Sequence, residues 1–133
     1  MNQSFFHQDN FNTDKSQNLP IIQKLETIYQ LWQSFLQNFS RTSRYTLGAK
    51  TDNVFIEVIE FIFTAAHERE KESKLHYLQK ATKKLDLLKF FLQLLWKIKA
   101  LDNKKYIAIS EQLFEIGKML GGWERSLNKK QVF

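Results

Sequence analysis

Cysteine is absent from this chain, and proline occurs once. The first absence excludes a disulfide framework and a thiolate metal site. The second agrees with long helices, because proline breaks a helix interior. Long apolar runs are missing too. The longest apolar-rich stretch, Leu85 to Ile98, carries Lys89 and Lys97 and is too short to span a membrane. Met1 to Asn18 lack a basic start and a continuous apolar run, so no signal peptide is expected. A single domain in the cytoplasm is the reading that follows. Glycine is also scarce, at four residues. Gly48, Gly117 and the pair Gly121-Gly122 all fall inside or against helical pattern. A glycine in a helix interior costs about 1 kcal/mol relative to alanine. Close approach of another backbone, or a helix end, normally offsets that cost.

What is present is charge, unevenly placed. The net charge is +6. Residues 71–105 hold ten Lys or Arg against three Asp or Glu, a net +7. Residues 52–70 hold five acids against one Arg, a net −4. The segment Arg41 to Lys50 adds three basic residues and no acid. This polarity would steer a polyanion toward one part of the surface. Lysines that merely solvate helix faces give the same excess, so charge leaves both readings open.

Residues 1–18 are polar and without period, the pattern of a flexible tail. Phe5, Phe6 and Phe11 are its only bulky groups. From Pro20, which suits a first helical turn, Ile21, Leu25, Ile28, Trp32, Phe35 and Phe39 recur at spacings of four and three. The polar stretch Ser40 to Ser43 ends that helix. A second helix is predicted from about Arg44–Thr46 to Arg69, on the stripe Leu47, Val54, Val58, Ile62 and Ala65. A third, capped by Ser73, runs to about Leu101 on Leu78, Ala81, Leu85, Leu88, Leu92 and Leu95. A fourth, capped by Asp102 or Asn103, uses Tyr106, Ile109, Leu113, Ile116 and Leu120 and stops at Gly121-Gly122. Residues 124–133 form a basic C-terminal tail, so the bundle domain is 19–123. Short connections make successive helices antiparallel neighbours. The expected fold is all-α, an up-down-up-down antiparallel four-helix bundle.

The third helix has more apolar surface than a lone bundle needs. Leu87, Phe91, Leu94, Ile98 and Leu101 centre roughly 130° from the core stripe, counting about 100° per residue. Lys80, Lys83 and Lys84 share that second face, one to two turns earlier. An apolar stripe left in water marks an interface, although a wide core face also accounts for part of it. On the fourth helix Ser110, Gly117 and Gly121 form a small-residue ridge along which another helix can approach. Leu87, Phe91, Leu94, Ile98, Ser110, Gly117 and Gly121 are therefore the candidate oligomer contacts.

Catalytic patterns are absent. A di-iron bundle needs Glu-x-x-His on two helices, and here Glu57-x-x-Glu60 has no paired histidine. His7, His67 and His76 read as surface residues, and no metal or cofactor is expected. Gly121-Gly122 lacks the Gly-Lys-Ser/Thr of a P-loop. Glu57 and Glu60 form a common solvated carboxylate pair. Tyr45, between Arg44 and Lys50, fits either base stacking or packing. Trp123 is expected to close the core under the fourth helix.

The segments Ser43-Arg44-Tyr45-Thr46-Leu47-Gly48-Ala49-Lys50, Ala81-Thr82-Lys83-Lys84-Leu85-Asp86-Leu87-Leu88-Lys89 and Glu115-Ile116-Gly117-Lys118-Met119-Leu120-Gly121-Gly122-Trp123 resemble the accessory variability determinant family of diversity-generating retroelements. The resemblance covers about residues 20–127. More distantly the chain is similar to the four-helix proteins encoded in intervening sequences of bacterial 23S ribosomal RNA genes. The first resemblance implies a ring-like homopentamer with a basic surface and no enzymatic activity. It implies partnership with the retroelement reverse transcriptase and binding of RNA and possibly DNA. Arg41, Arg44, Lys50, Lys80, Lys83, Lys84, Lys104 and Lys105 would then meet phosphate or the enzyme. The second implies a protein-only oligomeric scaffold. Thr51 departs from the first family's pattern, which has an apolar residue there.

Overall fold

The computed structural model describes the backbone of residues 15–131 and the side chains of residues 20–128. Among the described residues there are four helical stretches and no strand. Helix α1 is Lys15–Leu36. The second stretch, α2, covers 41–67 in three continuous pieces: an α turn Arg41–Ser43, a π turn Arg44–Gly48 and an α-helix Ala49–His67. Helix α3 is Lys71–Lys97 and α4 is Asn103–Gln131.

The apolar stripes of all four helices converge on one core. Ile21, Ile28 and Trp32 of α1, Phe55 and Ile62 of α2, Leu78 and Leu88 of α3, and Ile109 and Ile116 of α4 are all fully buried. Each such side chain contributes about 1.5–3 kcal/mol relative to exposure, far above any helix propensity. Cross-helix contacts fix the pairing. Lys84 meets Glu57, Lys80 lies over Phe61, and Lys74 reaches Ala65. Position advances along α3 as it retreats along α2, so this pair runs antiparallel. Trp96 meets Tyr106 and Thr82 meets Glu124, which makes α3 and α4 antiparallel as well. Lys105 lies over the Phe35 ring, bringing the end of α1 to the start of α4. The turns 37–40 and 98–102 therefore share one end of the molecule, here called the turn end.

Helix ends differ from expectation in several places. Helix α4 does not stop at Gly121-Gly122 but continues to Gln131, so most of the expected basic tail is helical. The reason is burial: Trp123 is 1% exposed and Leu127 5%, continuing the core stripe past the glycines. Two buried side chains of that size outweigh two glycines at about 1 kcal/mol each. Helix α1 starts at Lys15, so residues 15–18 are helical and Pro20 lies inside the helix. Phe5, Phe6, His7 and Phe11 lie outside the described residues. Helix α2 starts at Arg41, because the Ser40 hydroxyl accepts from the Ser43 N–H as an N-cap. Helix α3 starts at Lys71 rather than Ser73 and ends at Lys97 rather than Leu101. Leu101 is still buried, from the turn. Asp102 caps α4 as expected, its Oδ1 accepting from the Lys105 N–H at 2.8 Å.

Candidate nucleic-acid interface

At the turn end the chain makes a π turn because Gly48 lets it. A Cβ at Gly48 would lie 2.7 Å from the Ser43 carbonyl oxygen and 3.0 and 3.2 Å from Leu36 and Phe39 side-chain carbons. Only glycine fits there without a shift of backbone. Thr46 and Thr51 hydroxyls donate to the Thr42 and Leu47 carbonyls, each at 2.7 Å. Such back-bonding favours a bent helix. It also explains how Thr51 is fully buried where an apolar residue was expected. The turn is thereby fixed, and it leaves Arg41, Arg44, Lys50 and Tyr45 exposed. The Arg44 guanidinium donates to the Phe39 carbonyl at 3.4 Å, which orients it across the 37–40 turn.

The second turn of this end carries its own device. The Ala100 N–H bonds the Leu95 carbonyl and the Lys99 N–H bonds that of Trp96. This is the Schellman pattern, which puts the residue after the cap in the left-handed region. That residue is Lys99, with φ 68°, the one non-glycine with positive φ among the described residues. Glycine would adopt this conformation at less cost, by roughly 1 kcal/mol. Trp96 stacks on Tyr106 with centroids 5.1 Å apart at 11°, and its Nε1 donates to Asn103 at 2.6 Å. A shallow groove beside it is lined by Lys97, Lys99, Leu101, Asp102 and Asn103. Lys104 is exposed, and Lys105 is half-buried over Phe35, 5.6 Å from the ring centroid. Among the described residues no carboxylate lies within ion-pair distance of Arg41, Arg44, Lys50, Lys97, Lys99, Lys104 or Lys105.

The α3 flank is different. Lys84 is paired with Glu57 at 3.1 Å, and Lys80 sits over the Phe61 ring at 5.7 Å. Lys83 is exposed. The eight predicted cations are thus split. Arg41, Arg44, Lys50, Lys104 and Lys105 gather at the turn end, and Lys80, Lys83 and Lys84 lie on the flank near the middle of α3. Lys97 and Lys99 belong with the first group, and sequence reading left them out. Their signal was present in the run Lys97 to Lys105, which has four lysines and one acid.

A polar hub also escaped the sequence reading. Asp52 Oδ1 accepts from Tyr29 Oη at 2.8 Å, Trp32 Nε1 at 3.0 Å and Gln33 Nε2 at 3.1 Å. It ties α1 to the start of the α-helical part of α2. Burial and the neighbouring Asp52 push the Tyr29 phenol up to about 12, so it stays a donor at neutral pH. A buried tryptophan N–H needs an acceptor, but spacing alone does not name Asp52.

Among the candidate contact residues, Leu87 and Phe91 pack part-buried against their own core, Leu94 is half-buried, and Ile98 is 56% exposed. Ser110, Gly117 and Gly121 are half-buried. A Cβ at Gly117 would meet Lys89 and Leu85 at 3.5 and 3.7 Å, an ordinary contact. Large apolar groups not singled out from sequence are exposed at Ile56, Phe63, Phe90, Ile107 and Phe114. Glu57 is engaged by Lys84, His67 Nδ1 lies 2.9 Å from the Phe63 carbonyl, and His76 is exposed. Among the described residues there is no cluster of three His, Asp or Glu that could hold a metal ion. Nor is any of their helices long and apolar enough to cross a membrane.

No curated protein matches the chain. A family model does: the one described as bAvd-like matches residues 19–127, which takes in the turn end, the flank and the whole core. That match covers most of the chain, and the chain belongs to the bAvd-like family.

Proposed function

We propose that this protein is a non-catalytic accessory subunit of a diversity-generating retroelement. It binds template RNA or cDNA, and the reverse transcriptase, through a basic surface and so supports mutagenic retrohoming in the cytoplasm. The observation that carries this reading is the turn end of a bAvd-like chain, where seven Lys and Arg side chains have no carboxylate partner among the described residues. Cations left unpaired on one surface are available to phosphates, and binding then gains from counterion release. Phosphate contacts position a strand without reading sequence, so low sequence specificity follows. In the same reading the antiparallel helix pairs complete an up-down-up-down bundle. Five copies form a ring, using exposed apolar residues such as Ile107 and Phe114.

The test is fluorescence anisotropy of labelled RNA across a salt series, on protein of measured native mass. Tight binding with a steep negative slope is expected. A protein-only scaffold of the intervening-sequence type is the second reading, favoured by the exposed apolar side chains on α2, α3 and α4. Capture of the reverse transcriptase without affinity for RNA at low salt would select it.

A further inference from the structure

Two aromatic rings stand among the cations of the turn end. Tyr45 is 67% exposed and makes no hydrogen bond or ring contact with any described residue. Trp96 is 36% exposed, and its indole N–H is already held by Asn103, so what it shows to solvent is apolar carbon. The pairing of Glu57 with Lys84 and Phe61 with Lys80, continued along both helices, sets position 45 about level with position 96. The π turn that carries Tyr45 does contact α3. Beside Trp96, Lys99 holds a left-handed conformation that glycine would take more cheaply. A strained lysine in place of glycine supplies a charge at that spot, and such conflicts concentrate where function overrides stability.

Phosphate binding alone needs cations and no exposed rings. Rings add affinity only where base faces are free, and in a duplex those faces are hidden in the stack. We propose that the turn end binds nucleic acid as a single strand, with bases stacked on Tyr45 and Trp96 and phosphates on the surrounding Arg and Lys. The inference rests on the nucleic-acid reading above and narrows it to a substrate class.

Full-length protein is titrated into fluorescein-labelled oligoadenylate, its deoxy counterpart, and oligoadenylate annealed to oligouridylate. Both single strands are expected to bind, and to bind tighter than the duplex. Tyr45→Ala lowers single-strand affinity about fivefold or more, whereas Tyr45→Phe keeps it. Trp96→Leu behaves like Tyr45→Ala, and Trp96→Phe retains the affinity. The salt slope stays the same in all four variants, because no phosphate contact is removed. Equal affinity for strand and duplex, with Tyr45→Ala indistinguishable from the parent, overturns the stacking inference and leaves nucleic-acid binding standing. Absence of binding to all three probes overturns both.

Discussion

The turn end and the α3 flank both look basic in sequence, yet the fold treats their charges differently. On the flank, Lys84 answers Glu57, Lys80 leans on Phe61 much as Lys105 leans on Phe35 at the turn end, and Lys83 is exposed. At the turn end, Arg41, Lys50, Lys97, Lys99 and Lys104 are exposed with no carboxylate within ion-pair distance among the described residues. A surface ion pair is worth only about 0–1 kcal/mol to stability. It still lowers the net field that an incoming polyanion meets. Counting lysines along a helix therefore misses that Lys84 is already paired and that Lys97 and Lys99 join the turn end.

The largest effect expected from breaking this contrast is on the turn end itself. Replacing Arg41, Arg44, Lys50 and Lys104 together by Ala should cut RNA affinity about a hundredfold at low salt and flatten the salt slope by about 2.8, at roughly 0.7 per phosphate. An unchanged slope in anisotropy titrations would move the binding surface elsewhere. Next, Gly48→Ala forces a Cβ to within 2.7 Å of the Ser43 carbonyl oxygen. Overpacking of this kind costs about 2 kcal/mol, read by urea unfolding, and RNA affinity should fall with it as the turn shifts. Third, Lys99→Gly should stabilise the fold by about 1 kcal/mol in the same unfolding experiment while weakening RNA binding. A variant that is neither more stable nor weaker in binding would remove the argument from strain. Smallest is the flank: Lys80, Lys83 and Lys84 changed together to Ala should alter affinity less than about threefold. A tenfold loss there would reverse the ranking of the two regions.

The difference between these regions also marks what the sequence could reveal. The helical periods were legible, because the residues at their apolar spacings, from Ile21 to Leu120, do line the core. The Asp102 cap was legible for a local reason, since its hydrogen bond spans three residues. What failed depended on distance. Gly121-Gly122 read as a stop signal, but Trp123 and Leu127 had a core to enter, and burial overrode propensity. The engagement of Lys84 by Glu57 and of Asp52 by three α1 donors joins positions far apart in the chain, with no trace in local spacing. Gly48 was singled out correctly as needing a reason, but the reason, a carbonyl and two side chains packed against it, appears only in three dimensions. Gly117 was singled out on the same grounds, and within one chain it meets only ordinary contacts.

The three tryptophans occupy three unlike settings. Trp123 is buried with its indole N–H unpartnered, Trp32 is buried with its N–H on a carboxylate, and Trp96 is half-open at the turn end. Their light emission should separate accordingly. Trp123 and Trp32, buried in the core, should be shielded from collisional quenchers, whereas Trp96 should emit at longer wavelength and be quenched readily by iodide. The unmodified chain thus contains an optical label for its core and another for its turn end. Loss of packing and events at that surface can be followed in one sample, each at its own wavelength.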